Sequence, residues 1–554
     1  MIRIDGERFA DERGRTRLLR GVNLGGSSKL PFRGDSFVGR PFPLDEADEH
    51  LRRLKSWGLT TLRLLTTWEA VEHEAEGKYD SDYLDHFEAI AARAHELGFD
   101  VFLDFHQDVW SRFSGGDGAP RWTLEAAGFD VDNLHATGAA FLESQHQGPL
   151  PRMIWPTNAG KLASATMFTL FFGGDTFAPK TQLQGLLRSR FFAAVEQVVR
   201  RVEKYVFAVD LLNEPSSGYI GWKDLTKPGA PVEVGAMPSP LQSFALGMGQ
   251  PLDIDVYHRG WLGPRVVRQE RVNPRALKAW KGGCLWLEHG VWAEGPKLLR
   301  PDHFLKGDFA NDFYRPFLEE GARHLRGLPL MIETEPFKQG PAWPSRAPAI
   351  WAPHWYDGFA LFFVDYRSWL AGDAFTQRPV FGRSRIRKSF ARQLGRLAQD
   401  ARERGLPLVV GELGVPGVLP AAAMDRTLTA VEDAQVSATI WNYTADHTRA
   451  KGDGWNGEDF SIFSREGRDV SAAVRPYPRA ISGRLVRYGF DLKTKRFELE
   501  VDGDGGETEV FVPALHYPNG VAASDEVRRD EDLVIWRAQG LKRLVLVPAP
   551  ASPT

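Results

Sequence analysis

A chain of 554 residues is too long for one ordinary hydrophobic core, so two domains, or one enlarged domain with an appendage, are expected. Its 69 Lys and Arg against 72 Asp and Glu give a net charge of −3, without the basic excess of a nucleic-acid binder. One cysteine, Cys284, excludes an intrachain disulfide; a charged N-terminal stretch without an apolar leader, and no apolar run of about 18 residues, predict a cytoplasmic protein with no stable membrane insertion.

In chain order, short apolar strands alternate with amphipathic helices, the pattern of an α/β fold with a parallel sheet. Strands are predicted at 18–24, 60–65, 100–105, 206–212, 329–334, 349–355, 407–413 and 437–443. Helices with apolar residues at helical spacing and a glycine stop fit between them, as at 83–98 and 389–405. Eight such units predict a closed (β/α)8 (TIM) barrel over 1–475, whose chemistry gathers at the C-terminal strand ends. Two connections, 109–180 and 215–303, are too long for simple loops and leave candidate site strands, so they are expected as lids or substrate walls. From 476 to 554 apolar and polar residues alternate between turns, which predicts an antiparallel β-sandwich. Within it VDGDGGE (501–507) reads as a hairpin turn rather than a calcium loop.

Polar groups follow the apolar strands: Arg63 after the second, His106, Gln107 and Asp108 after the third, Asn213 and Glu214 after the fourth. His354 and Tyr356 follow the sixth, Glu412 the seventh, and Trp441 and Asn442 the eighth. A barrel converges such residues on one face although they are scattered in sequence. Alone, Glu214 or Glu412 would be a salt-bridged or exposed carboxylate; as a pair at one mouth they fit glycoside hydrolysis, which needs one protonated and one ionised carboxyl group. Glu333 and Glu335, in IETEP, compete for the role but lack a preceding Asn, and are assigned to substrate or structural support. Of the acids flanking His106, Asp108 lies beyond the strand and is the better sugar ligand, Asp104 the poorer. GDGWNG (452–457) shapes a loop rather than a dinucleotide site, because it does not link a first strand to a helix. No HExxH, P-loop or GxSxG motif occurs, and no cofactor or metal is expected.

LLNEP, GELG and IWNY resemble glycoside hydrolase family 5, of clan A. The runs FHQDVWSRFSGGDGAPRWT (105–123), WPTNAGKLASATMFTLFFGGDTFAP (155–179) and WNYTADHTRAKGDGWNGEDFSIFS (441–464) are similar to fungal-type glucosylceramidases and steryl β-glucosidases, relatives of endoglycoceramidases. The resemblance spans roughly 18–480 and implies a (β/α)8 barrel with a C-terminal β-sandwich. It implies Glu214 as acid/base and Glu412 as nucleophile, with Arg63, His106, Asn213, His354, Tyr356 and Trp441 around them and Lys29 and Asp108 as sugar ligands. Asn213 would hold the 2-hydroxyl, Arg63 and Tyr356 would keep Glu412 ionised, and Trp441 would lie under the sugar. Trp455, Asn456 and Glu458 would reach the glucose from the loop after the eighth strand. The implied activity is a retaining β-glucosidase whose small-molecule glucoside or glycolipid carries an apolar aglycone. TMFTLFFGGDTFAP is then expected to line the aglycone channel, with plain core packing as the other reading. The alternatives are an endoglycoceramidase, a cellulase or mannanase with an open cleft, and a non-catalytic carbohydrate- or lipid-binding relative.

Overall fold

The computed structural model describes residues 2–30, 40–229, 232–260, 263–335 and 338–550. Eight parallel strands form the central sheet: β1 (Arg20–Leu24), β2 (Thr61–Thr66), β3 (Asp100–Phe105), β4 (Val206–Asp210), β5 (Leu330–Ile332), β6 (Ala349–Trp351), β7 (Val409–Leu413) and β8 (Ser437–Tyr443). Their order is β6-β5-β4-β3-β2-β1-β8-β7. A bridge between Trp351 and Leu408, with the Trp351 N–H donating to the Pro407 carbonyl at 2.9 Å, joins the two edges into a barrel. The sequences TLRLLT, VFAVD and VVGEL are buried along their whole length, as strands covered on both faces must be. β5 and β6 are shorter than the expected 329–334 and 349–355. The chain leaves the sheet early there, and Glu333 and His354 stand at the rim instead of in the ladder.

The floor of the barrel is apolar. Leu19, Phe102, Phe207, Met331, Ile350 and Val409 pack with Ile2 and Phe9, which come from the N-terminal hairpin Arg3–Asp5/Arg8–Ala10. That hairpin continues through Thr16–Arg17 onto β9 (Tyr477–Ile481). The strands within residues 3–17 therefore share a sheet with the C-terminal strands β10 (Arg484–Asp491), β11 (Arg496–Phe511), β12 (Val521–Ala523), β13 (Val527–Asp530) and β14 (Leu533–Pro548). Both halves of the long strands β11 and β14 feed one core that holds Phe497, Val501, Phe511, Trp536 and Leu544, so this antiparallel sheet curls over itself. VDGDGGE is not a turn. It lies inside β11, where the register with β14 shifts between Asp504 and Glu507. A bulge there bends the strand without ending it, and Gly503 passes too close to the Ala538 backbone to carry a side chain.

The insertion at 109–180 contains the helix Leu162–Phe177. LASATMFTLFFGGDTF is apolar around nearly its whole circumference, and such a helix buries all its faces. Phe168 and Phe171 meet Trp110 edge-on, each at 5.4 Å, and Phe171 and Phe172 pack on Phe317. This run is core packing under the mouth, and none of it lines the cavity described below, contrary to the channel expectation. The insertion at 215–303, of which 230–231 and 261–262 lie outside the described residues, carries a long hairpin, Leu252–Gly260 paired with Gly263–Val272.

Candidate active site

Glu214 lies four residues beyond β4, at φ 35°, a left-handed conformation that a non-glycine residue holds only when its surroundings enforce it. Here they do. Its N–H donates to Glu333 Oε2 at 2.7 Å, and Gln107 Nε2 donates to the carbonyls of Asn213 and Glu214 at 2.6 and 3.1 Å. Its carboxylate Oε1 is 2.9 Å from His354 Nδ1.

Across from it, Glu412 ends β7. Its Oε1 accepts from Arg63 Nη1 at 2.5 Å and its Oε2 from the Tyr356 hydroxyl at 2.8 Å, the two contacts expected of them. Arg63 is not at a strand end. It sits mid-way along β2, fully buried, and reaches up the barrel axis to donate to Asn23, Asp210, Asn213 and Glu333 as well. His354 bridges the set: Nε2 is 2.9 Å from Glu333 Oε1, and Nδ1 is 3.5 Å from Glu412 Oε2. An oxygen of Glu214, one of Glu412 and a His354 nitrogen all lie within 4.8 Å of one another.

This environment drives the two carboxyl groups apart. Burial and the negative charges of Glu412 and Asp108 raise the pKa of Glu214, only partly offset by His354. Burial also acts on Glu412, but the charges of His354 and Arg63 outweigh it and hold the group below its usual value. His354 is itself pushed well up, against its burial, by Glu333 and Glu412, and is a cation at neutral pH. Glu333, buried and beside Asp210, rises to about 8.

A second buried cluster lies beside the pair. Lys29 Nζ is 2.5 Å from Asp108 and 3.8 Å from Asp117, and it faces the rings of Trp455 at 3.8 Å and Trp441 at 4.5 Å. His106 stacks on Trp441 at 5.4 Å and bonds Asp104 through Nδ1 at 2.7 Å. Burial and Lys29 both lower the pKa of His106, but Asp104 and Asp108 outweigh them and carry it up to about 10. Asp108 is held far down by Lys29 and His106 against its burial, whereas burial and the negative charge of Asp108 push Asp117 well up. Glu458 is half-buried, with the Trp155 indole donating to it at 3.1 Å, and desolvation raises its pKa to about 8.

These groups open on a cavity of about 690 Å³. Lys29, His106, Asp108, Asn213, Trp441 and Glu458 line its inner end with Glu214, Tyr356 and Glu412. Ile220, Trp222, Val232, Leu361, Phe362 and Phe375 form its outer, apolar wall. Three of the expected substrate contacts do not line it. Arg63 lies beneath the carboxylates, His354 behind them, and Trp455 is buried with its indole N–H donated to the Gly116 carbonyl at 3.3 Å. Asn456 likewise anchors a loop, through the Gly115 carbonyl and Glu143. Asn213 lines the cavity, with its amide oxygen taken by Arg63 and one amide hydrogen by the Gln107 carbonyl. Sequence reasoning passed over Asp117 and Phe460, and set Gln107 at the strand end without a role. Asp117, an acid between glycines in an insertion leaving a site strand, carried a signal that could have been read.

Two trios, His106–Asp108–Asp117 and Glu214–His354–Glu412, bring ligand atoms close enough to hold a metal ion. In the first Lys29 already supplies the balancing cation at 2.5 Å, and in the second the His354 imidazolium does so.

Two acids of unequal pKa facing each other at a barrel mouth are the equipment of a glycosidase, and comparison with known proteins agrees. Residues 20–231 match the model of cellulase (glycosyl hydrolase family 5), and residues 475–544 that of the glycoside hydrolase family 5 C-terminal domain. A glucosylceramidase of Rhizopus delemar is 34% identical over 95% of this chain and 91% of its own. An ergosteryl-beta-glucosidase of Saccharomyces cerevisiae is 32% identical over 85% of this chain and 76% of its own. The crystal structure of Cryptococcus neoformans sterylglucosidase 1 superposes with a TM-score of 0.93 at 30% identity, over 99% of this chain and 97% of that one. On the fold, the facing acids and these matches together, the chain belongs to glycoside hydrolase family 5.

Proposed function

We propose that the enzyme is a retaining β-glucosidase that releases single glucose units from glucosides with an apolar aglycone, of the sterol or ceramide type. Glu412 is the nucleophile and Glu214 the acid/base. The observation that carries this reading is the split pair of carboxyl groups where a closed polar pocket meets an apolar wall.

In the first step Glu412 attacks the anomeric carbon as Glu214 passes its proton to the departing aglycone oxygen. In the second, Glu214 takes a proton from water, which displaces Glu412 and leaves glucose in the β configuration. Arg63 and Tyr356 keep Glu412 ionised between turnovers; His354 orients Glu214 from behind. An oxygen separation within 4.8 Å supports the retaining course, for which about 5–5.5 Å between carboxyl groups is usual.

Exo action is supported by the closure of the inner end. The loop after β8 is tied to the 109–180 insertion through Trp455–Gly116, Asn456–Gly115 and Trp155–Glu458, so chain length beyond one sugar meets a wall. The relatives named for glucosylceramide and steryl glucoside support an apolar aglycone, as does the outer wall of aromatic and aliphatic residues. A cytoplasmic location is supported by the lone buried Cys284, whose thiol burial raises to about 11 and which needs no oxidising compartment.

The test is a series of alkyl β-glucosides of growing chain length, assayed below the micelle concentration, with proton NMR of the first sugar released. The expected result is kcat/KM rising with chain length and β-glucose formed first. Initial α-glucose would overturn the double displacement, and a preference for cellooligosaccharides would overturn the aglycone class.

A further inference from the structure

Among the described residues, ten large apolar side chains are conspicuously exposed, and eight of them lie on strand-to-helix connections of the barrel. Those connections emerge at the end where the cavity opens. The helix-to-strand end has none; the other two, Leu515 and Leu541, belong to the C-terminal sheet. In two places near the mouth such side chains stand side by side. Val266 and Val267 are 48% and 51% exposed on the long hairpin, and Trp369 and Phe381 are 47% and 52% exposed, stacked 6.2 Å apart, on the connection after β6.

The hairpin stands beside the opening. Its Val256 and Tyr257 pair with Ala236 and Gly235, a few residues from the cavity-lining Val232, and its Arg259 guanidinium lies 4.6 Å over the ring of Phe362, part of the outer wall. A register shift between Val266 and Arg268 leaves Val267 without a cross-strand partner. Two consecutive valines are thereby exposed between Arg265 and Arg268, both also exposed.

The charge of the connection that carries the hairpin differs from that of the whole chain. Residues 215–303 hold eleven Lys and Arg against eight Asp and Glu, net +3, in a chain whose net charge is −3. A connection of net positive charge that exposes two consecutive valines beside the mouth, in a chain of net negative charge, is complementary to an anionic lipid leaflet.

We infer that the mouth of the barrel docks on anionic lipid membrane through the hairpin strand Gly263–Val272, with the Trp369–Phe381 pair as a second contact. The inference rests on the lipid-glucoside reading for its purpose, since an aglycone buried in a leaflet must pass directly from membrane to outer wall. It does not rest on that reading for its test. No helix among the described residues is long and apolar enough to cross a membrane, and the contact inferred is peripheral.

The experiment is co-sedimentation of the full chain with phosphatidylcholine vesicles, with and without phosphatidylserine. Binding is expected only when phosphatidylserine is present, and is expected to fall with added salt. The double variant Arg265→Glu/Arg268→Glu, and separately Val266→Glu/Val267→Glu, should weaken partitioning roughly tenfold or more. Both should leave hydrolysis of a soluble aryl β-glucoside unchanged, which shows that they fold. Equal binding to neutral vesicles, or full binding by both variants, would overturn the docking. So would a shift of oligomeric state caused by the valine variant in vesicle-free buffer, which would make the hairpin a contact between copies of the chain. Detergent-dispersed steryl glucoside separates the two readings: if it is not cleaved the substrate reading fails, while the vesicle result still decides the docking.

Discussion

A single guanidinium and a single imidazolium organise three carboxyl groups, Glu214, Glu333 and Glu412, at the inner end of the cavity. Arg63 touches Glu412 and Glu333, and His354 touches Glu214 and Glu333, so Glu333 is the node through which the acid/base and the nucleophile share support. It also accepts the N–H of Glu214, whose backbone is in a conformation it would not hold unaided. Replacing Glu333 by Gln sets an amide NH2 against donors on every side. Leaving a buried donor without an acceptor costs about 1–3 kcal/mol, so kcat should fall roughly 10- to 100-fold while KM changes little. The alkaline limb of the pH profile should also move, because Glu333, which ionises at about pH 8, then sets a negative charge beside His354 that Gln cannot supply; an unmoved limb would reduce Glu333 to a packing residue. For the wild type the sign is fixed by the two shifts. Activity needs Glu412 ionised and Glu214 protonated, so it rises with pH through the depressed pKa of Glu412 and falls through the raised pKa of Glu214. Glu412→Ala should abolish turnover of every substrate. Glu214→Ala should spare aryl glucosides with activated leaving groups and cripple alkyl glucosides, and equal losses on both would contradict its role as acid.

At the scale of elements, strands were legible because burial on both faces of a parallel sheet forces continuous apolar runs, and the polar residue that ends each run stands out. That logic singled out Glu214, Glu412, His106 and Tyr356, all of which line the cavity. It misread Arg63, since a charge inside an apolar run looks like an end when it is in fact a buried ligand of four acids and two amides. It misread the FTLFF run, because periodicity cannot distinguish an apolar helix that lines a channel from one buried under it. Part of the aromatic wall comes from Trp222, in the 215–303 connection expected to form a substrate wall, and part from Phe362 after β6, a short segment that only the fold brings beside it. Burial of an aromatic ring against an aglycone contributes about 1–3 kcal/mol. Trp222→Ala and Phe362→Ala should therefore each raise KM for long alkyl glucosides roughly 10- to 100-fold and leave methyl β-glucoside unaffected. A matching loss on methyl β-glucoside would locate these rings at the sugar rather than the aglycone.

At the scale of the molecule, the curled sheet serves as a base for the barrel. Its N-terminal strands cap the barrel floor with Ile2 and Phe9, the Tyr477 hydroxyl donates to the Gly58 carbonyl, and a side chain at Gly58, held at φ 72°, would run into the Phe511 ring. The strongest tie is ionic. Arg475 donates through Nε and Nη2 to Glu432, on the barrel helix Ala421–Ala434, at 2.7 and 3.0 Å. The same guanidinium reaches Asp425 and the Phe490 carbonyl of β10, while the Phe490 N–H returns to Glu432 at 3.1 Å. Both charged side chains are almost wholly buried. Removing one partner of such a pair strands the other charge and costs about 3–5 kcal/mol, whereas replacing both by apolar residues of similar volume is often neutral. Glu432→Ala should thus lower Tm by a few degrees in a chain of this length, and Glu432→Leu with Arg475→Met should recover most of the loss. None of these residues lines the cavity, so the consequence for function is thermal. If barrel and sheet melt as one cooperative unit, residual glucosidase activity and far-ultraviolet dichroism will shift down together in Glu432→Ala. If the dichroism shifts while the inactivation temperature stays, the sheet melts alone and the barrel does not depend on its base.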